Sequence, residues 1–246
     1  ISIIIPTKNS EKTLKLCLES IKLQKYPKEQ IEVIVVDGYS SDQTVNLAKK
    51  YDCKIIKTHA KLLGARYLGF LASKGDIVLF IDADHIMARS DLLLDVVDCI
   101  DKGYDVLHLV EESFKPQTLV QRLIAMDRYT NQQISKLMPI HYGTLYPRVY
   151  KRQIAERVFR NIPLNVLLRT HEHDDIILHH ETLKVTRKHY SLPKALFHID
   201  EASFRRYLKK IFRYGCMESQ TKTILERYAN AIKLKARLFV VGGMLT

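Results

Sequence analysis

Apolar and polar positions along the first hundred residues follow two rhythms. Short, nearly unbroken apolar runs at residues 2–6, 31–36, 54–57 and 77–81 read as strands of a covered sheet. Between them, Leu14, Leu16, Leu18, Ile21 and Leu23 are spaced by polar residues, which predicts a helix over 13–24 lying against a sheet. Ser41 or Asp42 is placed to cap a second helix running to about Tyr51. A third helix is predicted over 62–73, where Gly64, Ala65, Gly69 and Ala72 allow close packing. Strands alternating with helices of this length predict βαβ units and a mostly parallel sheet. After about residue 100 the alternation stops. The pattern there predicts strands at 105–110 and 183–189, a turn and strand over 143–150, helices at 119–137 and 152–159, and one or two basic helices over 201–237.

Polar clusters punctuate the apolar runs at one end. Thr7-Lys8-Asn9 follows the first strand, Asp37 to Asp42 the second, and Asp82-Ala83-Asp84 the fourth. All three therefore fall on one rim of one sheet, where open α/β sheets bind ligands. Carboxylates at the end of a buried strand are costly unless they hold a metal, a cation or hydrogen-bond donors. With Ala83 between them, Asp82 and Asp84 point to opposite sides if the strand persists and converge if the chain turns. Either arrangement leaves one carboxylate for a hard divalent ion and the other for a different task. Neither G-x-G-x-x-G after the first strand nor G-x-x-x-x-G-K-[ST] occurs, which disfavours a dinucleotide site and excludes a P-loop. Phosphates on a ligand would then have to be met by a metal and by Lys or Arg.

Composition adds a charge asymmetry to this picture. The 246 residues carry a formal net charge of +12. Residues 1–100 hold 14 Lys/Arg against 13 Asp/Glu, so nearly all the excess lies in 101–246. That half suits an anionic partner such as phospholipid, a phosphorylated substrate or nucleic acid, or simply forms a solvated basic surface. No run of about 18 apolar residues is present. The apolar tail at 238–245 reads either as the start of a membrane segment continuing beyond residue 246 or as a packed terminus. Cys17, Cys53, Cys99 and Cys216 are scattered without a C-x-x-C pair, which fits free thiols in a reducing compartment and no zinc site. His171, His173, His179 and His180 invite a metal cluster that no cysteine supports. Around 201–214, Phe204, Tyr207, Leu208 and Ile211 face one way and Arg205, Arg206, Lys209, Lys210 and Arg213 another. Such a helix lies on an anionic membrane or packs on a core with a wet basic face.

Several of these segments resemble the family 2 glycosyltransferases, which have the GT-A fold. Ile3-Ile4-Ile5-Pro6-Thr7-Lys8-Asn9 is similar to the family's opening strand and P-[TY]-x-N turn. Val35-Val36-Asp37-Gly38-Tyr39-Ser40-Ser41-Asp42-Gln43-Thr44 is similar to its next strand and acidic turn. Gly64-Ala65-Arg66 resembles its G-x-A-R-N helix start, with Tyr67 in place of the usual Asn. Ala72-Ser73-Lys74-Gly75-Asp76 leading into Phe80-Ile81-Asp82-Ala83-Asp84 completes the likeness over residues 1–90. Further on, Asp174-Asp175 stands where the family carries an acidic pair, usually Glu-Asp. His198 follows a strand as a family metal ligand does. Tyr214-Gly215 resembles a family position after a basic helix, and the span 143–148 resembles an acceptor-side loop.

The resemblance implies a GT-A-type, mostly parallel sheet flanked by helices, with a basic helical C-terminal portion. It implies a nucleotide-sugar-binding and catalytic domain over 1–200, with a donor half at 1–100 and an acceptor half at 101–200, and a basic amphipathic extension at 201–246. The activity implied is inverting transfer of a sugar from a nucleotide-diphosphate sugar to a hydroxyl or phosphate of a glycan or lipid-linked acceptor. Asp84 and His198 would hold Mg²⁺ or Mn²⁺, which neutralises charge on the leaving diphosphate. Pro6, Thr7, Asn9, Asp37, Gly64, Asp82 and Ala83 would line the nucleotide-sugar pocket, with Asp37 accepting from the base, and Arg66 would reach the diphosphate. Asp175, beside Asp174, would deprotonate the acceptor. Each has a plainer reading: Asp37 and Asp42 as turn and helix caps, Arg66 as a surface residue, Asp174 and Asp175 as a solvated loop, His198 as a structural histidine. Basic surface and apolar tail together imply a cytoplasmic protein peripheral at the membrane. Two rivals remain open from sequence. A sugar-phosphate nucleotidyltransferase would need a G-x-G-T-R loop that Pro6-Thr7-Lys8-Asn9 does not supply. A nucleic-acid-binding protein would need a motif that is not found, so no nucleic-acid partner is expected.

Overall fold

The computed structural model describes residues 1–137, 146–171, 173–209, 212 and 228. The described strands form one eight-stranded sheet in the order β3-β2-β1-β4-β7-β6-β8-β5. At its centre β1 (Ser2–Thr7) alternates its side chains between two cores. Ile3 and Ile5 join one, with Leu14, Cys17, Leu18 and Ile21 of α1 (Glu11–Lys22) and Ala48 of α2 (Thr44–Lys50). Ile4 joins the other, with Leu63 and Phe70 of α3 (Leu62–Ala72). All three isoleucines are fully buried, so the strand needs helices on both faces. β1 runs parallel to β2 (Glu32–Asp37) and β4 (Ile77–Phe80), and β2 parallel to β3 (Lys54–Lys57). This half matches the predicted βαβ pattern.

The second half of the sheet is mixed. β7 (Pro147–Lys151) runs antiparallel to both β4 and β6 (Val106–Ser113). β8 (His189–His198) lies parallel to β6, and the three-residue β5 (His85–Met87) closes the edge antiparallel to β8. The sheet is thus parallel in its first half and mixed as a whole. α4 (Leu92–Asp101) joins the first core, and α6 (Arg152–Asn161), α7 (Leu164–Arg169) and α8 (Asp174–Val185) the second. α5 (Leu119–Leu137) lies beside β6.

The strand predicted at 183–189 is a correction. Helix α8 continues to Val185, and the strand begins at His189. α8 buries His179, Glu181 and Thr182 as well as Ile176, Ile177 and Leu178, so no polar face marks it as a helix. β5, α4 and α7 are also additions to the pattern. In β8, Leu192 pairs with Leu109 but Leu196 pairs with Glu111, so two extra residues bulge from the strand. Pro193, which has no N–H to give the ladder, and Lys194, with φ +47°, sit in that bulge. Beyond it, His198 comes opposite His85. Positions 204–209 are helical, while Lys210, Ile211, Arg213, Tyr214, Gly215, Cys216, the tail at 238–245 and positions 143–145 lie outside the described residues. Cys17, Cys53 and Cys99 are free thiols.

Gly69 sets how close α3 comes to the sheet. A Cβ there would lie 2.3 Å from Ile4 Cγ2 and 3.1 Å from Val36 Cγ2. Both neighbours are branched side chains on buried strands and have nowhere to turn. Gly69→Ala is expected to destabilise the fold by about 1–3 kcal/mol, the usual cost of overpacking, read as a lower urea midpoint with an unchanged m-value.

Candidate active site

The carboxyl ends of β1, β2 and β4 open onto a cavity of about 680 Å³. Pro6 and Thr7 from β1, and Asp82, Ala83 and Asp84 after β4, line it together with Lys8 and Lys61. The turns behind them are held by short polar side chains. Asp37, fully buried, accepts hydrogen bonds from Thr7 Oγ1 (3.3 Å) and from the backbone N–H (3.0 Å) and hydroxyl of Ser40. Asn9, in the left-handed region at φ +52°, accepts from the Ser41 N–H at 2.9 Å while its own N–H donates to Ser40 Oγ. Asp42 accepts from the N–H groups of Glu11 and Thr44 and so ties the starts of α1 and α2 together. Asp37, Asn9 and Asp42 therefore shape the rim, and Asn9 does not line the cavity. Gly64 does not line it either. A Cβ on Gly64 would meet Ala60 at 2.8 Å and the Leu167 carbonyl at 3.0 Å, so its place is the α3–α7 contact.

Strand β4 stops at Phe80 and the chain turns, so Asp82 and Asp84 part company. Asp82 Oδ1 accepts from Arg66 Nη2 at 2.6 Å, and its Oδ2 lies 3.4 Å from Arg148 Nη1. Burial works against the Asp82 charge, yet Arg66, Arg148 and His85 outweigh it and hold its pKa well below the usual carboxylate range. Arg66, only 2% exposed, spends its Nε on Asp174 Oδ2 at 2.9 Å, and its Nη1 is buried with no hydrogen-bond partner. Arg148 donates from Nε to Glu111 Oε1 at 2.8 Å and again from Nη2. Glu111 Oε2 accepts from Arg128 Nη1 at 2.8 Å, and Arg128 Nη2 reaches Asp200 at 2.8 Å. Charges of alternating sign thus run unbroken from Asp174 to Asp200. Tyr146 lies between the two central guanidinium groups, 5.2 Å from Arg66 and 4.5 Å from Arg148.

Asp84 turns the other way, toward His198, whose Nε2 lies 3.4 Å from Asp84 Oδ2. His198 Nδ1 is 2.8 Å from Asp200 Oδ1, which orients the ring. Burial disfavours the His198 cation, but Asp200 and Asp84 outweigh it and raise its pKa. Among the described residues, Asp84, His85 and His198 are the one group of three that comes together as metal ligands could. His85 is the least available of the three. Its Nδ1 accepts the Asp82 N–H at 2.8 Å and its Nε2 lies 3.3 Å from Glu111. A carboxylate and an imidazole fit a hard divalent ion whose other ligands are phosphate oxygens and water.

A second cavity, of about 480 Å³, lies across Asp82 from the first. Arg66, Tyr146, Arg148, Asp174, Asp175 and His198 line it, as does one face of α5. Asp174 and Asp175 form the first turn of α8, where the helix dipole favours carboxylates. Burial, with help from Asp175 and Asp82, raises the Asp174 pKa despite Arg66. The pair therefore divides, with Asp174 buried against Arg66 and Asp175 at the cavity wall. The structure brings Pro6, Thr7, Arg66, Asp82, Ala83, Asp84, Asp174, Asp175 and His198 to these two cavities. Tyr146 and Arg148, from the span 143–148 read as acceptor-side, line the second cavity, and the ionic network adds His85, Glu111, Arg128 and Asp200, which sequence reading passed over. Glu111 was the most findable, because it follows the run Val106-Leu107-His108-Leu109-Val110, apolar except for His108, as Asp82 follows its own.

With this geometry in place, comparisons with known proteins become informative. The family model described as Glycosyl transferase family 2 matches residues 2–159. The poly(ribitol-phosphate) beta-N-acetylglucosaminyltransferase TarS of Staphylococcus aureus (strain Mu50 / ATCC 700699) is 33% identical over 117 residues, covering 45% of this chain and 20% of TarS. A Methanococcus voltae protein named dolichyl N-acetyl-alpha-D-glucosaminyl phosphate 3-beta-D-2,3-diacetamido-2,3-dideoxy-beta-D-glucuronosyltransferase is 36% identical over 106 residues, 40% of this chain and 33% of that protein. The chain thus spans a third or less of the length of these two relatives. The mannosyltransferase PcManGT from Pyrobaculum calidifontis, solved with GDP-Man and Mn²⁺, superposes with a TM-score of 0.63 at 18% identity, covering 94% of this chain and 64% of PcManGT. That likeness is one of fold, the GT-A arrangement of an open sheet with flanking helices.

Glu111 joins the buried Arg148 to the partly exposed Arg128. Glu111→Gln is expected to cost up to about 3–5 kcal/mol, because it removes the charge nearest to the buried Arg148. Pairing it with Arg148→Met should return part of that loss, and urea denaturation of both variants measures the difference.

Proposed function

As a member of glycosyl transferase family 2, the chain is placed among the glycosyltransferases, and we propose that it moves a sugar from a nucleoside-diphosphate sugar to an acceptor with inversion at the anomeric carbon. One observation carries the proposal. Two cavities meet at Asp82, with Asp84 lining one, Asp175 lining the other, and His198 in the wall of the second within 3.4 Å of Asp84. Donor and acceptor can therefore approach a common point from two directions.

In this reading the cavity at the ends of β1 and β4 takes the donor. Pro6, Thr7 and Ala83 form its wall, and Lys8 and Lys61 meet phosphate charge. Asp84 and His198 would hold a divalent cation, Mg²⁺ or Mn²⁺, which neutralises charge on the departing diphosphate. Arg66 acts chiefly by position, since it fixes Asp82 and Asp174 rather than standing free in the cavity. Asp37 and Asn9 support the base and ribose site through the turns they brace.

Asp175 is the proposed base. It takes the acceptor proton as the acceptor oxygen attacks the anomeric carbon from the face away from the diphosphate. The bond from that carbon to the diphosphate oxygen breaks, and its electron pair leaves on the diphosphate. Asp174 holds the start of α8 against Arg66 so that Asp175 keeps its place. The acceptor is a glycan or a lipid-linked sugar or phosphate, and the protein works peripherally at the cytoplasmic face of a membrane. The Methanococcus voltae relative, named as a dolichyl N-acetyl-alpha-D-glucosaminyl phosphate glucuronosyltransferase, supports the lipid-linked alternative. No helix among the described residues is long and apolar enough to cross a membrane.

Two substitutions separate the roles. Asp84→Asn should abolish the Mn²⁺-dependent rise in melting temperature with UDP or GDP while leaving the ligand-free transition intact. An undiminished rise would remove Asp84 from the metal site. Asp175→Asn should lower turnover by about 10²-fold or more with donor affinity nearly unchanged. Near-normal turnover at saturating acceptor would assign the base elsewhere.

A further inference from the structure

Helix α5 carries two faces with different tasks. Ile124, Asp127, Arg128, Asn131 and Gln132 line the second cavity. On nearly the opposite side of the helix, Leu119, Leu123 and Met126 form an apolar stripe at helical spacing, flanked by Tyr129. These side chains are 56–73% exposed, and none belongs to either core formed by the described residues. The start of α5 is tied to the chain just before the next exposed apolar row. Thr118 Oγ1 donates to the Ala202 carbonyl at 3.3 Å, and Gln121 Nε2 to the Asp200 carbonyl at 3.0 Å. From there Phe204, Leu208 and Phe212 repeat every fourth position, and Phe212 is 75% exposed. Arg122, Arg205 and Lys209 are exposed among these residues, as is Arg206, which pairs with Glu201.

Two exposed apolar rows whose starts are tied together call for a partner. The cations around it choose which one. A second copy docked face to face would set Arg122 and Lys209 against their own kind. A surface that offers both negative headgroups and an apolar interior satisfies the stripe and its rim together. We infer that the outward face of α5, continued by the helix that starts at Phe204, docks on an anionic lipid bilayer and holds the second cavity beside the headgroups. What that cavity receives rests on the glycosyl-transfer reading. The docking itself does not.

The chain contains no tryptophan, so a single introduced indole reports its own surroundings. In Leu123→Trp, emission should shift to the blue and be quenched by brominated phosphatidylglycerol vesicles. In Leu23→Trp, an exposed position at the end of α1, it should do neither. L123S/M126S should lower flotation on phosphatidylglycerol–phosphatidylcholine vesicles about tenfold or more, given the apolar area removed. R122Q/K209Q should make flotation fail at a lower salt concentration. The proposal is overturned if the unmodified chain ignores anionic vesicles at low salt, or if L123S/M126S floats undiminished. It is equally overturned if ultracentrifugation finds a dimer that L123S/M126S dissolves and vesicles do not compete with. Melting shifts with UDP or GDP on the same variants keep the two readings apart. Lost flotation with intact nucleotide binding in the unmodified chain sinks docking alone, and the reverse result sinks the transferase reading alone.

Discussion

Arg66 and Arg148 both reach the Asp82 carboxylate, and much of the molecule is arranged around that encounter. Two guanidinium groups buried near one another repel. They are tolerated because carboxylates stand between and beyond them, Asp174 at one end and Glu111 at the other. Each of these partners arrives from a different stretch of chain: Arg66 on α3, Asp82 after β4, Glu111 on β6, Arg148 on β7 and Asp174 on α8. The network can exist only when the whole sheet is assembled. Breaking one member leaves a buried charge unpaired, which costs far more than an exposed pair would. The ionic chain therefore ties the integrity of the cavity floor to completion of the fold.

That floor also explains how two ligand spaces can share one wall. Asp82 belongs to both cavities, and its charge is already compensated by protein cations. An anion entering either space would then meet a carboxylate whose field is largely cancelled. Asp84, whose neighbour is a histidine rather than an arginine, remains the carboxylate better suited to a metal. Two aspartates one residue apart acquire separate chemistry from the company each keeps.

Sequence reading reached the rim more readily than the network beneath it. Thr7, Asp37, Asp82 and Asp84 announce themselves because polar residues interrupt apolar runs at strand ends. The first-half strands and α1 to α3 follow from two clear periodicities. Helix α8 escaped because it is wrapped on several sides, and β5 because three residues carry no period. Glu111, Arg128, Arg148 and Asp200 meet only through pairings far apart in the chain, and no local spacing encodes such meetings. Asp37 and Asn9 were legible as important, but their side chains brace the turns behind the cavity.

The bulge in β8 imposes an arithmetic on this design. Side chains on a strand alternate faces, so any one-residue change of length reverses everything that follows. Between Leu192 and Leu196 the strand carries two additional residues, an even number, and His198 keeps the parity it would have had without them. What the extra length alters is reach along the strand, by about 7 Å if both residues were drawn straight. The segment at Pro193 and Lys194 thus works as a spacer. Lengthened or shortened in pairs it would slide the histidine along the edge, and by single residues it would turn the imidazole away from Asp84.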